Sequence, residues 1–184
     1  MTTDSGQQRE LRNETVVNVA GLLKGQVGAT RTYHLALDTF APDGEVVARQ
    51  VEGTVRLTRL RDAVMASIVA SGLAPLECVR CLREYDQPFE IAYDEEYWQT
   101  VDVRTGLGLG HVRAEDEEVS FINENHELDL KEPLRQEILV SLPMRPDCGP
   151  ECPGPDLLEV GDATSAEDVV DDRLAALASL LVDD

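Results

Sequence analysis

Apolar and polar residues alternate along the first half of this chain in the two-residue rhythm of half-buried strands. Tyr33, Leu35 and Leu37 alternate with Thr32, His34, Ala36 and Asp38, which predicts a strand over 31–39, and Pro42-Asp43-Gly44 supplies the turn after it. From 46 to 59, Val51, Gly53, Val55 and Leu57 share one face, while Glu52, Thr54, Arg56 and Thr58 share the other. Arg61-Asp62 marks the next turn. Val64, Met65, Ile68 and Val69 then form a nearly all-apolar run over 63–70, as a central strand requires, leading to Leu76-Glu77-Cys78. Over 88–98, Phe89, Ile91 and Tyr93 again alternate with Glu90, Ala92 and Asp94.

The rhythm changes elsewhere. Residues 1–15 are polar and read as a flexible, frayed N-terminus. Val16, Val17, Val19, Ala20, Leu22 and Leu23 form an apolar cluster broken by Gly21, Gly25 and Gly28, which suggests a short element and a turn. Residues 100–118, with Gly106, Gly108, Gly110 and the run Glu115-Asp116-Glu117-Glu118, read as a mobile loop, and 119–122 as a candidate short strand. Asp129, with Glu132 three residues on, predicts the start of a helix carrying Leu130, Leu134, Ile138 and Leu142 on one stripe with Leu139 beside them; Pro133 fits only its first turn. Ser165 opens a last amphipathic helix with Val170, Leu174, Leu177 and Leu181 aligned.

The expected fold is therefore α+β: a mainly antiparallel sheet or partial barrel, a few packed helices and a C-terminal amphipathic helix. We read residues 16–184 as one domain, mostly β over 16–99, with helices and a cysteine loop over 119–184.

All four cysteines fall into two close pairs, Cys78-Val79-Arg80-Cys81 and Cys148-Gly149-Pro150-Glu151-Cys152. Each spacing lets two thiolates face one point, and a tetrahedral zinc ion takes two such pairs from separate parts of a fold. The second pair lies among Pro143, Pro146, Gly149, Pro150, Pro153, Gly154 and Pro155, a backbone suited to wrapping an ion. Four reduced thiols packed as small hydrophobes, or a redox dithiol, are the competing readings. The first pair does not sit at a strand-to-helix junction, as a thioredoxin-like motif would require, and no secretory signal favours disulfides.

The formal charge of −20 is unevenly distributed. Residues 1–113 carry 12 Lys+Arg against 16 Asp+Glu, a net −4; residues 114–184 carry 4 against 20, a net −16. Such a chain is repelled by bare DNA or RNA and attracts basic partners. The one candidate basic patch is Arg56, Arg59, Arg61, Arg80 and Arg83, which reads more simply as a solvated strand face. An apolar leader and membrane-length stretches are missing from the given sequence, so the expected location is the cytoplasm, with no membrane partner.

No P-loop, G-x-G-x-x-G, H-E-x-x-H or G-x-S-x-G motif occurs. His34, His111 and His126 stand apart, and Glu95-Glu96 and Asp171-Asp172 are neighbours that point away from each other on a strand or helix. The expectation is a protein that is not an enzyme.

The ordered set Asn18-Val19-Ala20-Gly21-Leu22-Leu23-Lys24, Gly28-Ala29-Thr30-Arg31, Glu77-Cys78-Val79-Arg80-Cys81-Leu82, Ser141-Leu142-Pro143-Met144-Arg145-Pro146-Asp147-Cys148 and Asp172-Arg173-Leu174 with Leu177 resembles the bacterial YceD family, the large ribosomal RNA subunit accumulation proteins. The likeness runs from about residue 16 to 181. The chain departs from many members after Cys152, where Pro153-Gly154-Pro155 replaces a stretch with further cysteines, leaving four candidate ligands. The resemblance implies a role in accumulation of large-subunit (23S) ribosomal RNA and no catalytic residues. Joined to the charge pattern, it leads us to expect a structural zinc held by Cys78, Cys81, Cys148 and Cys152. It also points to a basic ribosomal protein or assembly factor as partner, with RNA contact indirect or weak. A direct RNA-binding module and a thiol-based redox or metal-transfer protein are the alternatives.

Overall fold

The computed structural model describes residues 9–41, 44, 47–109 and 119–154. The chain divides into two units, 1–152 and 153–184. The C-terminal helix expected from Ser165, the run Glu115–Glu118 and His111 lie outside the described residues.

Four long strands meander in antiparallel order: β3 (Thr30–Phe40), β4 (Ala48–Arg59), β5 (Ala63–Glu77) and β6 (Glu84–Gln99). They follow the alternation in the sequence. Tyr33, Leu35, Leu37, Val51, Val55, Leu57, Val64, Ile68, Phe89 and Ile91 are buried on one face, while His34, Glu52, Thr54, Arg56, Glu90 and Asp94 are exposed on the other. At Gly53 an added Cβ would collide with the Val69 carbonyl oxygen and lie 2.6 Å from the Ala70 Cβ, so β4 and β5 approach closely only because glycine stands there.

Short strands finish both edges, and these are parallel. β1 (Arg9–Arg12) pairs with β3, and β7 (Ser120–Ile122) pairs with β6, giving the order β1-β3-β4-β5-β6-β7. The sheet is mixed, antiparallel through β3 to β6 and parallel at both edges. Residues 9–12 also correct the expectation of a frayed N-terminus through residue 15: Leu11 buries its side chain beside β3 and the edge hydrogen bonds hold the rest. A second sheet joins β2 (Val16–Asn18) to β8 (Glu127–Asp129).

Above the apolar face lie β2, β8 and two helices, α1 (Ala20–Leu23) and α2 (Lys131–Ser141). Val17, Leu22, Leu23, Leu128, Leu130, Leu134 and Ile138 close the core against the sheet. The helical stripe is confirmed at Leu130, Leu134 and Ile138, but Leu139 is exposed and α2 starts later than expected. Leu130 occupies the N-cap position because its side chain is committed to the core. Asp129 caps from one residue earlier, accepting the Lys131 N–H at 2.9 Å, while Glu132 turns to Arg135 at 2.7 Å.

Part of the expected mobile loop is a built turn. Val101 and Gly108 form a β-bridge, and Asp102 Oδ1 accepts hydrogen bonds from the N–H groups of Arg104 and Thr105 and from the Thr105 hydroxyl. Those donors, the Thr105 backbone first, hold the Asp102 carboxyl below its ordinary range. Among the described residues no helix is long and apolar enough to cross a membrane.

Candidate metal centre

The 15 residues of β5 and 16 of β6 make the longest hairpin of the fold. Its pairing with β4 ends at Leu73, so the last rungs, down to Glu77 opposite Glu84, reach past the neighbouring strand. Cys78-Val79-Arg80-Cys81 sits in the turn at that tip, between two strands as its flanking sequence predicts. The Cys78 N–H donates to the Arg83 carbonyl and the Leu82 N–H to the Cys78 carbonyl, both at 2.9 Å; Leu82 takes a left-handed φ of 57° to close the turn.

The second pair arrives on the segment after α2. Pro143 ends the helix, since a proline ring bars the preceding residue from helical geometry and Leu142 is extended. Gly149, at φ 100°, turns the chain after Cys148, and the Cys152 N–H donates to the Gly149 carbonyl at 3.1 Å. Three contacts hold this segment on the hairpin tip. The Val79 N–H donates to the Pro146 carbonyl at 3.0 Å, the Cys148 N–H points at Cys78 Sγ at 3.5 Å, and Arg80 meets Asp147 at 3.1 Å.

The result is one cluster of all four cysteines, whose sulfurs lie within 4.8 Å of one another. Cys78 Sγ is 3.8 Å from Cys152 Sγ, and Cys81 Sγ is 3.7 Å from Cys148 Sγ. A tetrahedron with metal–sulfur bonds of about 2.3 Å has edges of about 3.8 Å, so these separations fit a metal bound by four thiolates. Each cysteine is a free thiol; Cys78 is fully buried and the other three are half-buried.

The thiols are electrostatically unlike. Cys78 is lowered to about 6, first by the Cys148 N–H and then by that of Cys81, against the effect of its burial. Cys148 is pushed up to about 12 by its neighbour Cys152, by burial and by the other two sulfurs. Cys81 has an Arg83 N–H that favours its thiolate, yet burial and the Cys78 and Cys152 sulfurs raise it. Bringing four sulfurs together without a cation therefore penalises further ionisation, and a divalent ion removes that penalty. Arg80 answers part of the same negative charge: its guanidinium is raised by Asp147 first and then by Cys152 and Cys78.

Spacing alone identified the four sulfurs, but not Arg80 and Asp147. Both lie inside or beside a cysteine pair, their one signal in the sequence, and Arg80 also belongs to the candidate basic patch. That patch does not assemble. Arg59 pairs with Val64 near the start of β5, whereas Arg80 and Arg83 lie beyond its end, ~45 Å away along a strand of this length. Two histidines among the described residues stay out of the cluster as well: His34 is on the exposed side of β3, and His126, at φ 59°, lies in the turn before β8.

The profile of the family described as "Large ribosomal RNA subunit accumulation protein YceD" matches residues 67–181, more than half of the chain and a span that includes both cysteine pairs. Searches of curated proteins and of solved structures give no significant match. The N-terminal part of the likeness, from Asn18 to Arg31, lies before the matched span, whereas the β5–β6 hairpin, α2 and the sulfur cluster lie within it. The chain belongs to the YceD family of large ribosomal RNA subunit accumulation proteins.

Proposed function

We propose that this protein is a non-catalytic factor that supports accumulation of 23S ribosomal RNA by binding a basic ribosomal protein or assembly factor in the cytoplasm. A structural zinc ion at Cys78, Cys81, Cys148 and Cys152 locks the segment after α2 onto the β5–β6 hairpin. The observation that carries the zinc reading is the pair of 3.7 and 3.8 Å sulfur separations. Four protein thiolates fill a tetrahedral site, leaving no position for water or substrate, which suits a structural rather than a catalytic ion.

The partner reading rests on the net −16 carried by residues 114–184 and on the separation of the arginines that a direct RNA-binding module would need on one face. Affinity capture from lysate treated with ribonuclease, at low and moderate salt, tests it. An identified basic ribosomal protein or assembly factor, retained without RNA and weakened by salt, is the expected result; recovery of ribosomal components only when RNA is intact favours direct RNA binding.

A second reading, a thiol-based redox or metal-transfer protein, draws on the depressed Cys78 thiol. Its full burial weighs against reaction with an external partner. Fast labelling of Cys78 in the native protein at neutral pH would favour this alternative.

A further inference from the structure

β6 is a 16-residue strand, yet among the described residues its pairing on the side away from β5 is confined to Tyr97, Trp98 and Gln99, with β7. Over Phe89–Glu96 no backbone hydrogen bond joins that side to any other described residue. Among the described residues, a run of this length leaves a row of N–H and C=O groups without a partner strand, the geometry an incoming strand can use. Pro88 sets its near end, since it lacks an N–H, and β7 sets the far end.

The side chains on this strand select among occupants. Between residues 84 and 98 there are six acids, Glu84, Asp86, Glu90, Asp94, Glu95 and Glu96, and no Lys or Arg. Glu90, Asp94 and Glu96 share the solvent side of the sheet, and none of them forms a salt bridge among the described residues; Asp86 faces Arg49 at a loose 3.9 Å. A second copy of the chain would set acids against acids, an arrangement that destabilises directly opposed strands. On the core side, Phe89 and Ile91 present buried apolar positions. An added strand alternating basic and apolar residues would meet the carboxylates with one set and extend the core with the other.

We propose that the open edge of β6, from Phe89 to Glu96, receives an extended segment of alternating basic and apolar residues from the partner protein, which pairs as an additional strand. This inference rests on the reading of the partner as basic and names the surface that holds it.

The test uses the full-length protein and a synthetic peptide of alternating lysine and valine, with a control peptide of identical side chains whose alternate amides are N-methylated. We expect the first peptide to slow amide hydrogen exchange within residues 89–96 and the control to bind at least about tenfold more weakly, because it keeps the charge but cannot pair. Replacing Glu90, Asp94 and Glu96 by lysine should weaken the first peptide by about tenfold, the combined effect of three opposite-charge cross-strand pairs. Equal binding of both peptides, or protection confined to other strands, overturns the proposal; the footprint on the wild-type chain decides it even if the triple variant does not fold. Lysate capture separates the two ideas: a wild-type chain that retains no basic ribosomal protein contradicts the proposed function. Equal retention by wild type and a folded edge variant contradicts only the edge assignment.

Discussion

Cys78 and Cys152 are 74 residues apart in the chain and their sulfurs are 3.8 Å apart in the fold. Cys81 and Cys148 are brought together in the same way, so the hairpin tip and the segment after α2 interlock through sulfurs from both. A metal at their centre would close a loop running from β6 through α2, joining sheet and helix covalently at a point beyond the main core.

Arg80 and Asp147 strengthen that junction. Both side chains are more than a third exposed, so the pair itself is worth only ~0–1 kcal/mol and Arg80→Ala should leave the unfolding midpoint nearly unchanged. The same substitution removes the cation beside Cys152 and Cys78, and metal affinity should fall by about tenfold, the lower end of outer-shell effects. Competition with a chromogenic chelator reads the affinity. An unchanged affinity would show that the guanidinium does not support the site.

Two tyrosines on β6 should respond oppositely to loss of their hydroxyls. Tyr97 donates to the Asp129 carbonyl at 3.0 Å from a buried position, tying the sheet to the start of α2, so Tyr97→Phe should cost ~0.5–1.5 kcal/mol. Tyr93 buries its hydroxyl with no hydrogen-bond partner among the described residues, so Tyr93→Phe should be neutral or stabilising. Urea denaturation of the two variants checks both signs, and a destabilised Tyr93→Phe would contradict this account of the packing.

The core makes a simpler demand. Leu134 and Ile138 are fully buried between α2 and the sheet, and truncating either to alanine should cost ~2–5 kcal/mol. Val140→Ala, on the 81% exposed side of the same helix, should change stability by less than ~0.5 kcal/mol. Denaturant midpoints of the three variants distinguish these cases; similar losses at Leu134 and Val140 would mean that α2 presents a different face to the sheet.

In the metal-free protein the thiols should titrate in widely separated steps. Cys78, lowered to about 6 from 9.0, is anionic at neutral pH; its stabilising contribution is complete above about 9 and is lost as pH falls through about 6. Cys148, raised to about 12, works in the other direction and favours the folded state until alkali reaches its ordinary range. Ultraviolet thiolate absorbance should show a step near 6 that disappears in Cys78→Ser. A step unchanged in that variant would assign the early proton to another sulfur.

Much of this architecture was legible in the sequence, for identifiable reasons. Strands β3 to β6 announce themselves because each buries several alternating residues, as Val51, Val55 and Leu57 do. β1 does not, since Leu11 is its one buried side chain and a period cannot be read from one residue, while β7 coincides with the candidate short strand over 119–122. Their parallel pairing depends on distant strands. α2 is capped one residue beyond Asp129 because Leu130 belongs to the apolar stripe while standing outside the helix. At the candidate centre, spacing named the four cysteines, but which sulfur faces which, and the link from Arg80 to Asp147, follow from how the hairpin and the post-helix segment cross.

The most direct test of the central claim is metal content by mass spectrometry of purified protein, with Cys78→Ser and Cys148→Ser measured in parallel. We expect about one zinc per chain in the wild type, as four thiolates at tetrahedral spacing would hold, and loss of that zinc in both variants because each removes a ligand from a different half of the site. A wild-type protein free of metal, with all four thiols open to labelling, would contradict the zinc clip.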